Sequence, residues 1–452
     1  ALFHMDNAYF IPALRIVGQV CRTNLPSNTA FRGFGGPQGM VVIEEILNRA
    51  AERLGLDPAH VRALNFYGDA PRNTTPYGQL VNHNRLPRLY DELMKSSEYE
   101  ARREQIDAFN AKSTYLKRGI GFQPVKFGIS FTTSFLNQAG ALVLMYQDGT
   151  VQLNHGGTEM GQGLHTKMLA VCSHELGVSK DRIRAMNTVT DKVPNTSATA
   201  ASSGSDLNGQ AVKAACDTLR ERLRPIAAKL LELDATAANE IVFSNDQASY
   251  GSRTVPLADV AKAAYLHQIS LSATGYYRTP DITYDAKAGR GKPFHYYAYG
   301  AAVVEVEISG LTGEHRVLRV DILHDVGASL VPTIDRGQVE GGFIQGLGWL
   351  TFEEVLFDKN GRLLTHSPDT YKIPAIGDAP LDFRVDLLSN ASQPDVIHGS
   401  KAVGEPPLML AIGAVTALRH AVSAFGQPRA EVTLSIPCTP EAVLMAVEAA
   451  KG

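Results

Sequence analysis

A glycine-rich segment at residues 155–163 constrains the fold of this chain more than any other feature. Four of its nine residues are glycine, and Leu164, Met168, Cys172 and Leu176 follow it at helical spacing. Glycine lets backbone N–H groups come close to a ligand, and a turn of this kind that opens onto a helix can bind an anion. A tight strand-to-helix turn would explain the segment equally well if it stood alone.

Two other segments have the same character. Residues 30–38 contain three glycines and precede a helical pattern that includes Val41, Ile46 and Ala50. Residues 199–206 collect small hydroxylated side chains ahead of a third helical stretch. Three loops of similar composition predict a binding surface to which several parts of the chain contribute.

Familiar motifs do not account for these loops. None of them has the glycine spacing and the later acidic residue of a dinucleotide fingerprint. Residues 289–293 lack the first spaced glycine and the Ser/Thr of a nucleoside-triphosphate P-loop, so an exposed basic turn is predicted there. His174 and Glu175 precede no second histidine at zinc-protease spacing, and no G-x-S-x-G nucleophile elbow occurs. Ordinary hydrolase and nucleotide-binding classes are therefore disfavoured.

Composition excludes other partners. The chain has 452 residues, 44% of them hydrophobic, which is enough for two to four domains or lobes. Its formal net charge is -3 and it has no lysine run, so neither a nucleic acid nor a membrane surface is an expected partner. No apolar stretch approaches the roughly 20 residues that cross a bilayer. Because the chain starts without Met, its N-terminal part is expected to be missing.

The four cysteines are scattered and form no C-x-x-C pair, which argues against a zinc knuckle or a locally spaced iron–sulfur ligand set. Buried, reduced thiols in a cytoplasmic protein are the favoured interpretation. The residues are Cys21, Cys172, Cys216 and Cys438.

Alternating helical and strand patterns predict an α+β fold. Residues 141–146 and 151–154 flank an Asp-Gly turn and read as a hairpin, and strands are expected at 299–308 and 316–323. Thr439 and Pro440 have the types expected at a cap and a first turn. The polar region 234–253 favours a peripheral loop or a lobe boundary. Helices are expected around residues 39–54, 89–110, 164–176, 210–233, 337–350 and 440–450.

Glu405 is the carboxylate with the clearest chemical potential. It lies between Gly404 and the pair Pro406 and Pro407, which restrict the backbone and aim the side chain. A solvated turn glutamate is the ordinary alternative, but the apolar flanks favour partial burial. Burial would raise the pKa towards the range where a general base works well.

Together these segments resemble the molybdenum-cofactor-binding large domain of the xanthine dehydrogenase and aldehyde oxidase family. The resemblance runs from the first residues to Pro407 and implies an α+β fold of two elongated lobes. The first molybdopterin-binding lobe would span residues 1–135, with its N-terminal part missing, and the second, which carries the catalytic Glu, residues 136–452. The motifs that carry the resemblance are residues 3–7, 23–38, 126–131, 156–167, 337–341 and 401–407.

The resemblance implies a cofactor, molybdopterin, whose own atoms hold the molybdenum, so that no side chain ligates the metal directly. Arg32, Ala201 and Gln338 would lie near the metal. Gly204 departs from the serine of some relatives, which leaves a backbone contact there. The cofactor-binding residues implied are Arg32, Met160, Gly161, Gln162, Ala201, Ser202, Ser203, Gly204 and Gln338.

The resemblance also assigns residues to catalysis and substrate binding. Glu405 aligns with the catalytic base, and Phe34 and Phe131 resemble two rings that enclose a flat aromatic substrate, with Thr132 beside the second ring. From the residues alone, a core position for Phe131, together with Ile129 and Phe135, is the favoured interpretation. Arg32 could equally brace its own loop.

The activity implied is oxidation of hypoxanthine and xanthine to urate with water as the oxygen source. The overall identity favours xanthine dehydrogenase within this family. The resemblance then implies that electrons pass through 2Fe-2S and FAD to NAD in other regions or a partner subunit. It also implies an oligomer built from a repeated heterodimer. The residues that orient the purine would lie upstream. An aldehyde oxidase or another N-heterocycle hydroxylase of the same family remains an alternative, and so does a non-enzymatic module that binds a phosphate-bearing ligand for assembly.

Overall fold

The computed structural model describes residues 1–427 and 431–452. Its helices are α1 (Gly36–Leu54), α2 (Pro58–Leu64), α3 (Leu86–Ser96), α4 (Tyr99–Lys112), α5 (Leu164–Leu176), α6 (Gly204–Leu230), α7 (Leu257–Leu266), α8 (Pro332–Thr351), α9 (Pro406–Met409), α10 (Ile412–Ser423) and α11 (Pro440–Lys451). Its strands are β1 (Leu116–Ile129), β2 (Gln138–Met145), β3 (Val151–His155), β4 (Ile183–Ala185), β5 (Val242–Ser244), β6 (Gln247–Tyr250), β7 (Arg253–Pro256), β8 (Ser272–Arg278), β9 (Thr283–Asp285), β10 (Arg290–Lys292), β11 (Tyr296–Ser309), β12 (His315–Asp325) and β13 (Asp382–Leu387).

The three longest strands, β1, β11 and β12, belong to one four-stranded sheet in the order β1-β11-β12-β13. β1 and β11 pair antiparallel over 14 residues, and β13 joins β12 in parallel. Helix α10 lies directly on β1 because Gly121 has no side chain: an added Cβ would be 2.7 Å from the carbonyl oxygen of Gly413. Buried side chains of α8, α10 and α11 complete one core on this face, and α3 and α4 contribute to another on the opposite face.

A second sheet, in the order β4-β3-β2-β8, leads directly to the glycine-rich segment. β3 ends at His155, residues 156–163 follow, and α5 begins at Leu164. Buried residues of α5 and α6, including Met168, Cys172 and Ala215, pack against this sheet. The sheet and the two helices thus fix both ends of the loop while leaving its middle at the surface.

Much of the predicted secondary structure is confirmed. The α+β class is correct, the hairpin is formed by β2 and β3, and β11 and β12 include the two other predicted strands. Helix α5 has the predicted bounds, and the Thr439 side chain caps α11 by accepting a hydrogen bond from the amide of Ala442. Cys172, Cys216 and Cys438 are buried free thiols, as expected, whereas the free thiol of Cys21 is exposed, so the expectation of burial is wrong for that residue.

Three expectations differ from the structure. The single helix expected at 89–110 is two helices, α3 and α4, since Glu98 between them adopts a left-handed conformation with φ 56°. The polar region 234–253 is not a plain loop, because β5, β6 and the start of β7 build a small sheet from it; the alternative, a lobe boundary, stays a prediction. A core position is the alternative for Ile129, Phe131 and Phe135, but Phe135 is 69% exposed, so it is not a core residue.

The division into two lobes at residue 135 stays a prediction. Strand β1 lies before that boundary and pairs with β11, which lies after it. No helix among residues 1–427 and 431–452 combines the length and the apolar character that crossing a membrane requires.

Candidate active site

Glu405 lies where three distant segments of the chain meet. It immediately precedes α9, and its side chain is partly buried. One carboxylate oxygen accepts a hydrogen bond from the backbone N–H of Gly33 (3.1 Å), and the other accepts one from the Ser202 hydroxyl (2.7 Å). The Ser202 hydroxyl oxygen in turn accepts the backbone N–H of Glu405 (2.9 Å).

These contacts define the electrostatics of the acid. Burial raises the pKa of Glu405 above its ordinary value, while the Ser202 hydroxyl, the Gly33 amide and the nearby Arg32 act in the opposite direction. Burial dominates because it removes the charged form from water. The result is a carboxylate that is held in one orientation and binds a proton more readily than an exposed glutamate does.

Arg32 connects Glu405 to helix α8. Its Nε donates to the carbonyl of Gly404. Its Nη2 lies 3.3 Å from both the backbone and the side-chain oxygens of Gln338, and Nη1 donates to the Gln345 side chain (3.2 Å). Burial lowers the pKa of Arg32, with Glu405 opposing that effect. The structure therefore brings together the predicted residues Arg32, Ser202, Gln338 and Glu405, which we call the Glu405 cluster.

The Ser202 loop owes its shape to two unusual backbone conformations. Ala201 and Ser202 both have φ 55°, a left-handed conformation that residues other than glycine seldom adopt. The turn aims the Ser202 hydroxyl at Glu405, while Ser203 is buried and bonds back to the carbonyl of Ala200 (3.1 Å). Gly204 then begins α6.

The glycine-rich loop is organised by a residue that sequence reasoning missed. The Glu159 carboxylate accepts hydrogen bonds from the amides of Gly161 (2.9 Å), Gly163 (2.9 Å) and His165 (3.0 Å). Burial alone would raise the pKa of Glu159, but these amides hold it below its ordinary value. The Glu159 carboxylate thus occupies part of the anion-binding concavity of its own loop. The sequence did contain a signal for this role, because an acidic residue just ahead of a helix is favourably placed to bind the amides of the first turn.

The rest of this loop remains accessible. Met160 is 66% exposed and Gly161 is exposed, whereas Gln162 is partly buried and donates to the carbonyl of Thr158 (2.8 Å). The Thr158 amide bonds the Thr199 hydroxyl (2.8 Å), which connects this loop to the segment that carries Ser202.

The predicted substrate residues occupy two places. Phe34 adjoins Gly33, has φ 43°, and is 74% exposed. Phe131 and Thr132 follow β1 and are partly buried; both the N–H and the C=O of Phe131 bond the buried Asn137 side chain. Within residues 1–427 and 431–452, no hydrogen bond joins Phe131 or Thr132 to the Glu405 cluster. Their roles stay predictions.

Buried polar groups anchor the segment ahead of Glu405. Lys401 and Asp325 form a fully buried ion pair (2.6 Å), and Lys401 also donates to the carbonyl of Tyr297 (3.1 Å). The Tyr296 hydroxyl accepts the amide of Ala402 (2.9 Å) and donates to the Asp206 carboxylate (2.7 Å). Burial raises the pKa of Asp206 to about 7 despite that hydrogen bond. Sequence reasoning did not identify these supports, since their partners lie far away in the chain.

The chemistry of the Glu405 cluster fits a bound pterin that brings its own metal ligands. Beside the Glu405 carboxylate, whose two oxygens already accept hydrogen bonds from Gly33 and Ser202, the cluster offers a guanidinium, an amide and a hydroxyl that can bind polar ligand atoms; it contains neither thiolate nor imidazole. Open space is available nearby, because a Cβ added at Gly161, Gly337 or Gly341 would meet no atom within 4 Å. Gly337 and Gly341 lie on either side of Gln338 on α8.

Comparison with known proteins identifies the family of the chain. Residues 92–380 match the model of a molybdopterin cofactor-binding domain, and residues 1–66 match a second model of the same description. The chain is 49% identical over 449 residues to xanthine dehydrogenase/oxidase of Felis catus, and 46% identical over 427 residues to xanthine dehydrogenase of Dictyostelium discoideum. These alignments cover 98% and 94% of this chain but only 32% and 30% of the relatives.

A solved structure extends the comparison to the fold. The aldehyde oxidoreductase from Desulfovibrio desulfuricans ATCC 27774 superimposes with a TM-score of 0.81 at 25% identity, over 98% of this chain and 44% of that one. The chain thus spans about a third of the length of its curated relatives and less than half of this structural neighbour. The resemblance predicted from the loops is confirmed, and the chain belongs to the molybdopterin cofactor-binding domain family.

Proposed function

We propose that this chain is the cofactor-binding part of a molybdenum hydroxylase that oxidises hypoxanthine and xanthine to urate, with water as the oxygen source. The observation that carries the proposal is the meeting of Gly33, Ser202 and Arg32 around the buried carboxylate of Glu405. The 46–49% identity to proteins named xanthine dehydrogenase supports purines as the substrate class.

When bound, molybdopterin supplies a redox metal that accepts the two electrons lost by the substrate. The residues that would hold it are Arg32 and Gln338, whose polar groups converge, together with Met160, Gly161 and Gln162 on the glycine-rich loop and residues 201–204 at the start of α6. Ligation of the metal by protein side chains is not part of the proposal.

In this proposal Glu405 accepts a proton during hydroxylation. Its hydrogen bonds from Gly33 and Ser202 fix the carboxylate before the substrate arrives, and a base held in position contributes typically about 10²–10⁴ in rate. Glu405 must be ionised to act, so its raised pKa places the acidic limb of the rate profile above the ordinary range of a glutamate.

Phe34 and Phe131 would enclose the flat purine, with Thr132 beside it. An exposed Phe34 ring is available for such contact, and aromatic pairs add about 0.5–1.5 kcal/mol beyond burial.

The proposal also includes a 2Fe-2S and FAD region outside this chain that passes electrons to NAD, a cytoplasmic location, and an oligomer. The greater length of the relatives supports the additional regions.

The test is a steady-state assay of the intact protein with hypoxanthine, xanthine, benzaldehyde and quinoline, with NAD reduction as the readout. We expect kcat/KM to be highest for the purines and urate formed in H₂¹⁸O to carry the label. Faster turnover of benzaldehyde or quinoline would instead assign another hydroxylase of this family. Stoichiometric molybdenum without hydroxylation of any substrate would favour a binding or assembly module.

A further inference from the structure

A second group of chemically active side chains lies outside the Glu405 cluster. His174 and Glu175 are in the last turn of α5, and His398 is in the turn before the segment that carries Glu405. One ligand atom from each of these three residues lies within 4.8 Å of the other two. The sequence contains no zinc-protease helix, but the fold supplies the second histidine from 223 residues away.

We propose that His174, Glu175 and His398 form a binding site for a divalent transition-metal ion of the Zn²⁺ class. Nε2 of His398 is 2.7 Å from one oxygen of Glu175, and Nδ1 of His174 is 3.8 Å from the same oxygen. Two imidazoles and one carboxylate are a common zinc ligand set, with metal–ligand distances of about 2.0–2.2 Å. Ligands of a tetrahedral ion at those distances are separated by roughly 3.3 Å. The two histidine–Glu175 distances are each within about half an ångström of that value, and the two histidine nitrogens lie within 4.8 Å of each other.

The cations around Glu175 lie on the side away from the histidines, and the histidine-facing oxygen has its hydrogen bond from His398 (2.7 Å). Its other oxygen faces Arg220 (3.1 Å) and Lys213 (3.7 Å). Asp217 also pairs with both of these cations, so two carboxylates share in balancing their charge. One carboxylate oxygen of Glu175 therefore faces the cations, and the other faces the imidazoles.

Exposure and backbone geometry support a site open to solvent. The side chain of Glu175 is 5% exposed, that of His398 22% and that of His174 70%. The two imidazole rings lie 4.3 Å apart, centre to centre. His398 adopts a left-handed conformation with φ 48°, an uncommon backbone state that turns its ring towards α5. An ion could enter from the His174 side and keep water in its remaining positions.

A metal at this position would link helix α5 to the segment that carries Glu405. Helix α5 follows the glycine-rich loop, and His398 precedes Glu405 by seven residues. The site does not depend on the proposed function, because its ligands contact neither Arg32 nor Glu405.

The test is equilibrium dialysis of the intact protein against Zn²⁺, with zinc and molybdenum measured separately by mass spectrometry. Three variants are compared with the unaltered protein: His174→Ala, His398→Asn and the control His267→Ala. Asparagine tolerates the left-handed conformation at 398, and His267 is an exposed histidine at the end of α7. We expect one zinc per chain to be lost in His174→Ala and His398→Asn and retained in His267→Ala.

X-ray absorption at the zinc edge gives an independent readout, in which imidazole scattering from two histidines is expected. The proposal is overturned if the unaltered protein binds no more zinc than the two site variants do, or if the zinc environment shows sulfur in place of imidazole. Circular dichroism of each variant identifies any loss that is due to misfolding. If His398→Asn misfolds, His174→Ala decides the question, since His174 is exposed and alanine favours a helix.

Discussion

The two sides of the candidate active site are built in opposite ways. The segment that carries Glu405 is anchored in the core by Lys401, whose ion pair with Asp325 is fully buried, and by Ala402, whose amide bonds Tyr296. The glycine-rich loop lies at the surface and is organised largely by its own Glu159. One side depends on long-range packing and the other on local hydrogen bonds.

This difference corresponds to the tasks that we propose for the two sides. A general base must keep one orientation, and buried, hydrogen-bonded supports restrict the motion of a side chain. A loop that takes up a large cofactor must be accessible, and this loop keeps Met160 and Gly161 exposed while Glu159 holds its shape. Variants on each side should therefore produce different kinds of loss.

The largest effect is expected for Glu405→Gln, which keeps the shape of the side chain and removes its basicity. We expect kcat to fall by about 10²–10⁴ while the molybdenum content stays that of the unaltered protein. Steady-state kinetics and metal analysis measure the two quantities. The control is Glu354→Gln, at an exposed glutamate after α8. Substantial residual turnover would show that another group takes the proton.

The position of Glu405 could be anticipated from the sequence, but its partners could not. Gly404 and the two prolines are neighbours in the chain, and their effect on the backbone is local. Ser202 and Gly33 are 203 and 372 residues away from Glu405. The composition of the loops that carry them predicts a shared binding surface, and the family resemblance adds Glu405 to it.

A medium effect is expected at Asp206, which supports the anchored side through Tyr296. Its pKa rises from an ordinary 3.8 to about 7 because of burial, and 1.36 kcal/mol corresponds to each tenfold change in proton affinity. The folded state holds the proton more tightly than the unfolded state does, so stability falls as the pH rises from about 4 to 7. Asp206→Asn should remove this fall and gain roughly 4 kcal/mol at pH 8.

Denaturant titrations at pH 4.5 and pH 8 measure that gain as a difference between the variant and the unaltered protein. Asp234→Asn, at an exposed aspartate, is the control and should change the free energy of unfolding little at either pH. A pH dependence that persists unchanged in Asp206→Asn would exclude Asp206 as its source.

Local sequence patterns predict some elements of the fold and miss others, as they do for the candidate active site. Helix α5 has the predicted bounds because helical periodicity and the flanking glycines are local signals. Strand β1 was missed because both of its faces are buried, including the polar Gln123 and Lys126, so no alternation appears in its sequence. Lys126 is accommodated by Asp6 at 3.2 Å and by the ring of Tyr297, partners that only the folded chain brings to it.

The smallest effect is expected on the surface side, for Glu159→Gln. A neutral amide keeps one acceptor oxygen, so at least one of the amides of Gly161, Gly163 and His165 loses its partner, and the remaining hydrogen bonds are no longer charge-assisted. We expect the cofactor to dissociate about tenfold faster, a change of about 1.4 kcal/mol, with little change in overall stability. Molybdenum retained per chain during dialysis measures the loss, and Glu104→Gln, at an exposed glutamate of α4, is the control. Retention equal to that of the unaltered protein would mean that the loop holds its shape without this carboxylate. A large loss of stability would mean that the loop is as tightly coupled to the core as the Glu405 segment is.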